Sequence, residues 1–288
     1  MAVIKKINNF LSLIKFSHTI FAMPFAIIGF LLALQNTSHS FSLKLFVCVI
    51  LCMVFARSAA MAFNRYIDRH FDALNPRTKV REIPAGIIQE KSALWFVIVC
   101  CVLFMLTTYF INSICFYLSP IALAVVLGYS YTKRFTALCH IVLGIGLSLA
   151  PIGAYLAVSG EFSLLPLLYS LVVLFWVSGF DIIYALQDEE FDRSQHLKSI
   201  PELLGKTKAL RFSEVLHVFT AALVIVAGLY AGFGMVYWAG AAVFCGLLFY
   251  QHSLVRPNDL SRVTLAFATT NGIASVVFAV FTCIEILM

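Results

Sequence analysis

Charged residues are scarce in this chain: Asp, Glu, Lys and Arg make up 12% of 288 residues, where a soluble domain carries about 25%. Acids are the scarcer sign, 14 against 20 Lys and Arg. Eight cysteines are present, but no Cys-x-x-Cys pair and no Cys/His spacing of a zinc site. They read as small hydrophobes inside apolar runs. Gly144-x-Gly146 lacks the strand context of a dinucleotide-binding loop. What is abundant is apolar: 61% hydrophobic residues and a mean hydropathy of +0.95. No core of this size can absorb so much apolar surface, which excludes a soluble globular domain, a disordered chain and a disulfide-stapled secreted domain. The reading is an all-α polytopic membrane protein, a single domain over 1–288. Its net charge of +6 is then a topology signal and not a nucleic-acid footprint.

A span needs about 20 apolar residues. Nine stretches qualify: 16–35, 42–63, 92–111, 114–132, 137–158, 163–184, 212–231, 233–252 and 263–287. With nine spans, 19 of the 20 Lys and Arg fall on the side of the N-terminus, leaving only Lys44 opposite. A miscounted span would move every later loop across and destroy that split. The positive-inside rule then places the N-terminus in the cytoplasm and the C-terminus outside the cytoplasmic (inner) membrane. Residues 1–15 set Ile4, Ile7, Phe10, Leu11 and Ile14 near helical spacing among lysines, the pattern of an interfacial helix. The apolar stretch after them is read as an uncleaved first span.

Two polar cytoplasmic segments stand out, 64–91 and 185–211, and long loops in a compact protein usually serve function. The first opens with Asn64-x-x-x-Asp68-x-x-x-Asp72, one stripe of oxygen ligands at i, i+4 and i+8. The second holds Asp181-x-x-Tyr184-x-x-x-Asp188-x-x-x-Asp192, with Asp181 expected to point the same way as Asp188. Like charges at i, i+4 destabilise a helix unless neutralised, so both stripes call for cations. Hard oxygen ligands suit Mg²⁺, which readily shares its shell with phosphate. Arg65, Arg77, Arg81, Lys133, Arg134 and Lys198 lie near the stripes in sequence, and such cations bind phosphate oxygens. The combination points to a lipid diphosphate. Glu82, Glu90, Glu189 and Glu190 read instead as solvated charges. Arg57 and Asp181 lie within spans, where ionisable groups are functional by default. Lys15 and His18 either reach an anionic substrate or snorkel, and Asn271 and Thr270 read as interhelical hydrogen bonds.

These motifs resemble the UbiA superfamily of intramembrane aromatic prenyltransferases. Asn75-Pro-Arg77-Thr78, Arg81-Glu-Ile-Pro84, Tyr129-Ser-Tyr131-Thr-Lys133-Arg134 and Lys198-Ser-Ile-Pro201 extend the likeness. The resemblance implies a helical bundle of nine spans around a central cavity, capped by the two polar segments. It implies Mg²⁺ held by Asn64, Asp68, Asp72, Asp188 and Asp192, with Lys133 and Arg134 on the diphosphate of a polyprenyl donor; Arg65, Arg77, Arg81 and Lys198, beside the stripes, are expected to bind the same diphosphate. It puts Tyr131, Asp181 and Tyr184 at the end that binds a small aromatic acid, with Asp181, Tyr184 and Arg134 in catalytic roles; Arg57, seven residues before Asn64 and so on the same helical face, is expected at that end too. Within the superfamily the chain looks most like the 4-hydroxybenzoate polyprenyltransferases. Arg81-Glu-Ile-Pro84 departs from their Arg-Pro-Leu-Pro form toward relatives that act on a dihydroxynaphthoate. A membrane transporter is the alternative from a different class.

Overall fold

Inside a bilayer every backbone N–H and C=O must find its partner within its own segment, so long apolar runs become helices. The structure, a computed structural model, describes residues 2–14, 21–37 and 39–288, with side chains from residue 8 onward; Lys15 and His18 lie outside the described residues. It contains α1 (Ala2–Leu13), α2 (Met23–Asn36), α3 (Leu43–Ile67), α4 (Arg69–Leu74), α5 (Glu90–Tyr109) and α6 (Ser113–Thr132). These are followed by α7 (Cys139–Ser159), α8 (Leu164–Ala185), α9 (Glu189–Ser194), α10 (Ile200–Ala231), α11 (Met235–Leu254) and α12 (Asn271–Leu287). The all-α expectation is met. Each of the nine stretches overlaps a helix, but among the described residues seven helical segments are long and apolar enough to cross a membrane. The 14-residue α2 and α11, which ends in the polar Gln251-His252-Ser253, are not among them.

Local chemistry sets the helix ends. Asn112 caps α6 by accepting the Cys115 N–H at 2.9 Å, and its amide donates to Leu156 O, tying the start of α6 to the end of α7. Ser199 caps α10 by accepting from the Glu202 N–H. Gly205 sits at φ +75° inside α10 and separates its first turn from the long span beyond. The second polar segment is therefore mostly helical, whereas less than half of the first is. The first comprises the end of α3, α4 and a run of turns; the second is a 3₁₀ turn (Leu186–Asp188), α9 and the start of α10.

Helix α8 is the centre of the bundle, packed between α7 and α10. Gly144 permits the α7–α8 approach, since a Cβ there would lie 2.4 Å from Ser178 Oγ and 2.5 Å from Leu174 O. Trp176, fully buried among Phe25, Phe180 and Phe244, donates its indole N–H to Asn271 Oδ1 at 2.9 Å and bolts α8 to α12. Asn271 thus makes the expected interhelical bond. Thr270 does not: it donates to Leu265 O in a π-helical turn (Leu265–Thr270) of its own segment. Leu13 and Ile14 at the end of α1 pack with Ala59, Ala62, Ile83 and Ile88, which seats α1 on the first polar segment.

Candidate active site

Asp68 ends α3 with φ −90° and ψ 4°, yet the helical register runs through it. Its N–H donates to Asn64 O at 2.9 Å, and the Asp72 N–H donates to Asp68 O at 2.8 Å. Asn64 Nδ2 also donates to Asp68 Oδ2 at 3.0 Å, so the first stripe exists as read. In the second, Asp188 and Asp192 keep their i, i+4 spacing, while Asp181, separated from them by the 3₁₀ turn at Leu186–Asp188, meets His140 of α7, whose Nδ1 stands 2.7 Å from its Oδ2.

Asp68, Asp72, Asp188 and Asp192 each meet a different cation. Arg134 Nη2 donates to Asp68 Oδ1 at 3.0 Å and Arg81 Nη1 to Asp72 Oδ1 at 2.6 Å. Arg77 grips Asp188 with Nε at 3.1 Å and Nη2 at 2.5 Å, while its Nη1 donates to Tyr184 Oη at 2.8 Å. Lys133 Nζ lies 2.6 Å from Asp192 Oδ1, and the Asp192 side chain is fully buried. Asn75 Nδ2 adds a bond to Asp188 Oδ1. The repulsion expected along each stripe is thus relieved by arginine and lysine brought from other segments, with the two-pronged Arg77–Asp188 contact the strongest geometry of the set.

Burial works against these charges, and the partners outweigh it for the Arg77 and Lys133 cations but not for the carboxylates of Asp68 and Asp192. Burial raises the Asp68 carboxyl above its ordinary range despite the pull of Arg134. Burial pushes the Arg77 and Lys133 cations down, but Asp188 and Tyr184 beside the one and Asp192 beside the other leave both higher than usual.

Other expected residues are placed differently. Lys198 is exposed, and its backbone N–H, donating to Lys133 O at 2.7 Å, is what joins the site's frame. Tyr131 is 45% exposed and lies under Arg134. Tyr184 belongs with Arg77, its ring 4.3 Å from that of Phe267. Glu189 is not a solvated charge: it is buried, paired with Arg193 at 2.8 Å and near Lys206. Glu190 is 87% exposed, as expected. Arg65 is buried within electrostatic reach of Asp72, Glu82 and Tyr129.

Beside this polar cluster a cavity of about 380 Å³ runs between α3, α5, α6 and α7. Its walls are mainly apolar, among them Met53, Phe104, Val126, Leu147 and Phe162, and Arg57 and Tyr129 stand in its lining. Arg57 lies two turns below Asn64 on α3, and Tyr129 one turn below Lys133 on α6. Tyr129 is also within electrostatic reach of both Asp68 and Asp181. The family resemblance points to Tyr131, whereas Tyr129 lines the cavity. Two residues apart on a helix face nearly opposite ways, and the one-turn spacing from Lys133 was the available signal. Nothing in the sequence marks His140, which only the packing of α7 on α8 brings to Asp181.

Among the described residues no three acidic, imidazole or thiol groups come together as a metal cage. The donor chemistry nevertheless fits a hard divalent cation: four carboxylates and an amide in two arrays, with Asp72 Oδ2 buried and lacking a hydrogen-bond partner.

Residues 22–280 match the model of the UbiA prenyltransferase family. A 4-hydroxybenzoate octaprenyltransferase from Tolumonas auensis is 31% identical over 223 residues, 77% of this chain and 78% of the relative. The apo structure of a UbiA homolog from Aeropyrum pernix K1 superposes with a TM-score of 0.80 at 31% identity, covering 94% of this chain and 97% of the other. A UbiA homolog from Archaeoglobus fulgidus, bound to DMAPP and Mg²⁺, shares the fold with a TM-score of 0.74 at 23% identity, covering 97% and 99%. An acidic and basic cluster at one end of an apolar helical bundle, the family model over most of the chain and a relative at 31% identity agree: the protein is an integral membrane member of the UbiA prenyltransferase family.

Proposed function

We propose that the chain transfers a polyprenyl group from a polyprenyl diphosphate to a ring carbon of a small aromatic acid, 4-hydroxybenzoate, at the cytoplasmic face of the inner membrane. The observation that supports this most is the set of four carboxylate–cation pairs beside an apolar cavity that has Arg57 and Tyr129 in its lining. A diphosphate with Mg²⁺ offers the same two signs as the pairs. Arg77, Arg81, Lys133 and Arg134 can turn to the diphosphate oxygens while Asn64, Asp68, Asp72, Asp188 and Asp192 turn to the metal. Because each exchange frees the partner of the other, donor and metal bind together and neither binds well alone. The Archaeoglobus fulgidus homolog, with DMAPP and Mg²⁺ bound, supports this reading.

When bound, Mg²⁺ supplies charge neutralisation for the leaving diphosphate. The arginines and Lys133 add hydrogen bonds that strengthen as negative charge collects on the bridging oxygen. The donor's C1–O bond breaks with both electrons leaving on the diphosphate, and an allylic cation remains. A ring carbon ortho to the acceptor's hydroxyl bonds to C1, and loss of the ring proton restores aromaticity. Arg57 pairs with the acceptor's carboxylate. Asp181 orients the phenol or accepts its proton. The cavity walls exclude the water that would quench the cation, and aromatic faces stabilise it.

Arg81-Glu-Ile-Pro84 favours a second acceptor, 1,4-dihydroxy-6-naphthoate. Purified protein supplied with Mg²⁺, polyprenyl diphosphate and each acceptor in parallel tests both. The expected result is diphosphate release matched by prenylated product. The acceptor with the larger kcat/KM identifies the substrate, and release with neither would overturn the enzyme reading in favour of a transporter.

A further inference from the structure

His140 stands in the first turn of α7, 3% exposed and outside the four ion pairs. Its Nδ1 lies 2.7 Å from Asp181 Oδ2, and its Nε2 accepts the backbone N–H of Ile200 at 3.4 Å. A ring nitrogen that accepts an N–H bears no hydrogen of its own, so the neutral ring has its single hydrogen on Nδ1 and donates it to Asp181. Three elements hold the residue. Ser178 of α8, the helix that bears Asp181, donates to His140 O at 3.2 Å. Cys139 Sγ donates to Lys198 O at 3.6 Å, and the Lys198 N–H donates to Lys133 O at 2.7 Å, which fastens the start of α7 to the end of the second acidic segment. Ile200 opens α10 within that segment.

We propose that His140 is a positioning residue for Asp181, its ring held in the Nδ1–H form by the Ile200 amide so that Asp181 Oδ2 is fixed and Oδ1 is left for the acceptor. A carboxylate otherwise turns about its last bond and offers either oxygen, whereas one anchored oxygen fixes the direction of the other. Because the anchor runs through Ile200 and Lys198, the aspartate is aligned only while the second acidic segment is folded over the site. Acceptor alignment is thereby tied to the part of the chain that holds Asp188 and Asp192. This inference rests on the proposed function, since it takes Asp181 to serve the aromatic acceptor.

The test compares His140→Gln with His140→Asn in the full-length protein. An asparagine amide reaches the position of Nδ1 and keeps a donor for Asp181, while a glutamine amide reaches the position of Nε2 and does not. With His140→Gln, kcat should fall about a hundredfold, the cost of a misplaced reacting group, while KM for the polyprenyl diphosphate stays within about twofold. His140→Asn should recover at least about tenfold of that loss. Unchanged kcat in His140→Gln overturns the proposal, as does an equal loss in both variants with a raised donor KM, which is the behaviour of a merely structural residue. The tautomer is read separately from ¹⁵N ring shifts of histidine-labelled wild type against His140→Asn, and an Nε2–H ring overturns the assignment whatever the reaction. Failure of the wild type itself to prenylate either acceptor would overturn the proposed function, and this assignment with it.

Discussion

Asp72 and Arg81, nine residues apart in one polar segment, are joined through Arg81 Nη1 and Asp72 Oδ1 at 2.6 Å, which leaves the buried Asp72 Oδ2 without a hydrogen-bond partner. A carboxylate with one oxygen committed to arginine and the other idle in a buried place is costly to keep unless something completes it. Completion by a divalent cation, with Arg81 passing to a phosphate, is the exchange proposed for all four pairs. Asp192, fully buried and with its Oδ2 also lacking a hydrogen-bond partner, shares this state.

That exchange predicts the response of the acids to removal. Asp68→Ala, Asp72→Ala, Asp188→Ala and Asp192→Ala should each lower kcat about a hundredfold or more, the scale seen when one preorganised electrostatic group is lost. Glu190→Ala, at an exposed position, should stay within about twofold, because surface charges contribute little. Steady-state kinetics on the five variants checks this, and a uniform response would sink the two-array reading.

Glu189 should behave differently from both groups. It is buried and paired with Arg193, so Glu189→Ala leaves that partnership broken beneath the second acidic segment. The expected outcome is a lower melting temperature in detergent with donor KM nearly unchanged. A large rise in donor KM with normal stability would place Glu189 in the binding site.

The cavity predicts a dependence on chain length. Gly153 lines it, and no heavy atom lies within 4 Å of a Cβ built there. Gly153→Phe should therefore fill space without displacing backbone. Turnover of long polyprenyl donors should fall about tenfold or more while a short prenyl diphosphate is largely spared, the discrimination that pocket volume usually provides. Competition between the two donors in one assay measures it. Equal losses would mean that the tail lies elsewhere.

Gly144 predicts a stability effect with no direct effect on chemistry. An added methyl meets Ser178 Oγ and Leu174 O well inside contact distance, so Gly144→Ala should cost about 1–3 kcal/mol through overpacking at the α7–α8 seam. Thermal unfolding in detergent reads this, and an unchanged melting temperature would show that the seam can open freely.

The one-sided distribution of Lys and Arg predicts orientation. A reporter fused after Met288 that works only in the cytoplasm should be silent, and the same reporter placed ahead of Met1 should be active. The reverse pattern would overturn both the orientation and the nine-span reading.

The sequence by itself determined the fold class, because hydropathy decides which segments can leave water and the bilayer admits helices for them. It determined the first acidic stripe for a similar reason: Asn64, Asp68 and Asp72 are related by the helical repeat alone, which needs no distant partner. The cations that meet the acids were readable as a pool, yet their assignment was not. Asp188 lies 111 residues from Arg77 and Asp192 lies 59 from Lys133, and no local rule spans such gaps. Tertiary structure also decided the direction of Asp181. Its partner His140 comes from α7, 41 residues away, and a 3₁₀ turn after α8 separates Asp181 from Asp188. It decided that Tyr129 and not Tyr131 lines the cavity, since the face of α6 that meets it is set by packing against α3 and α7. Glu189 and His140 show the same limit from the other side. A surface-like glutamate and a lone histidine in an apolar run have no pattern of their own, and their roles arise only from what the packed helices bring against them.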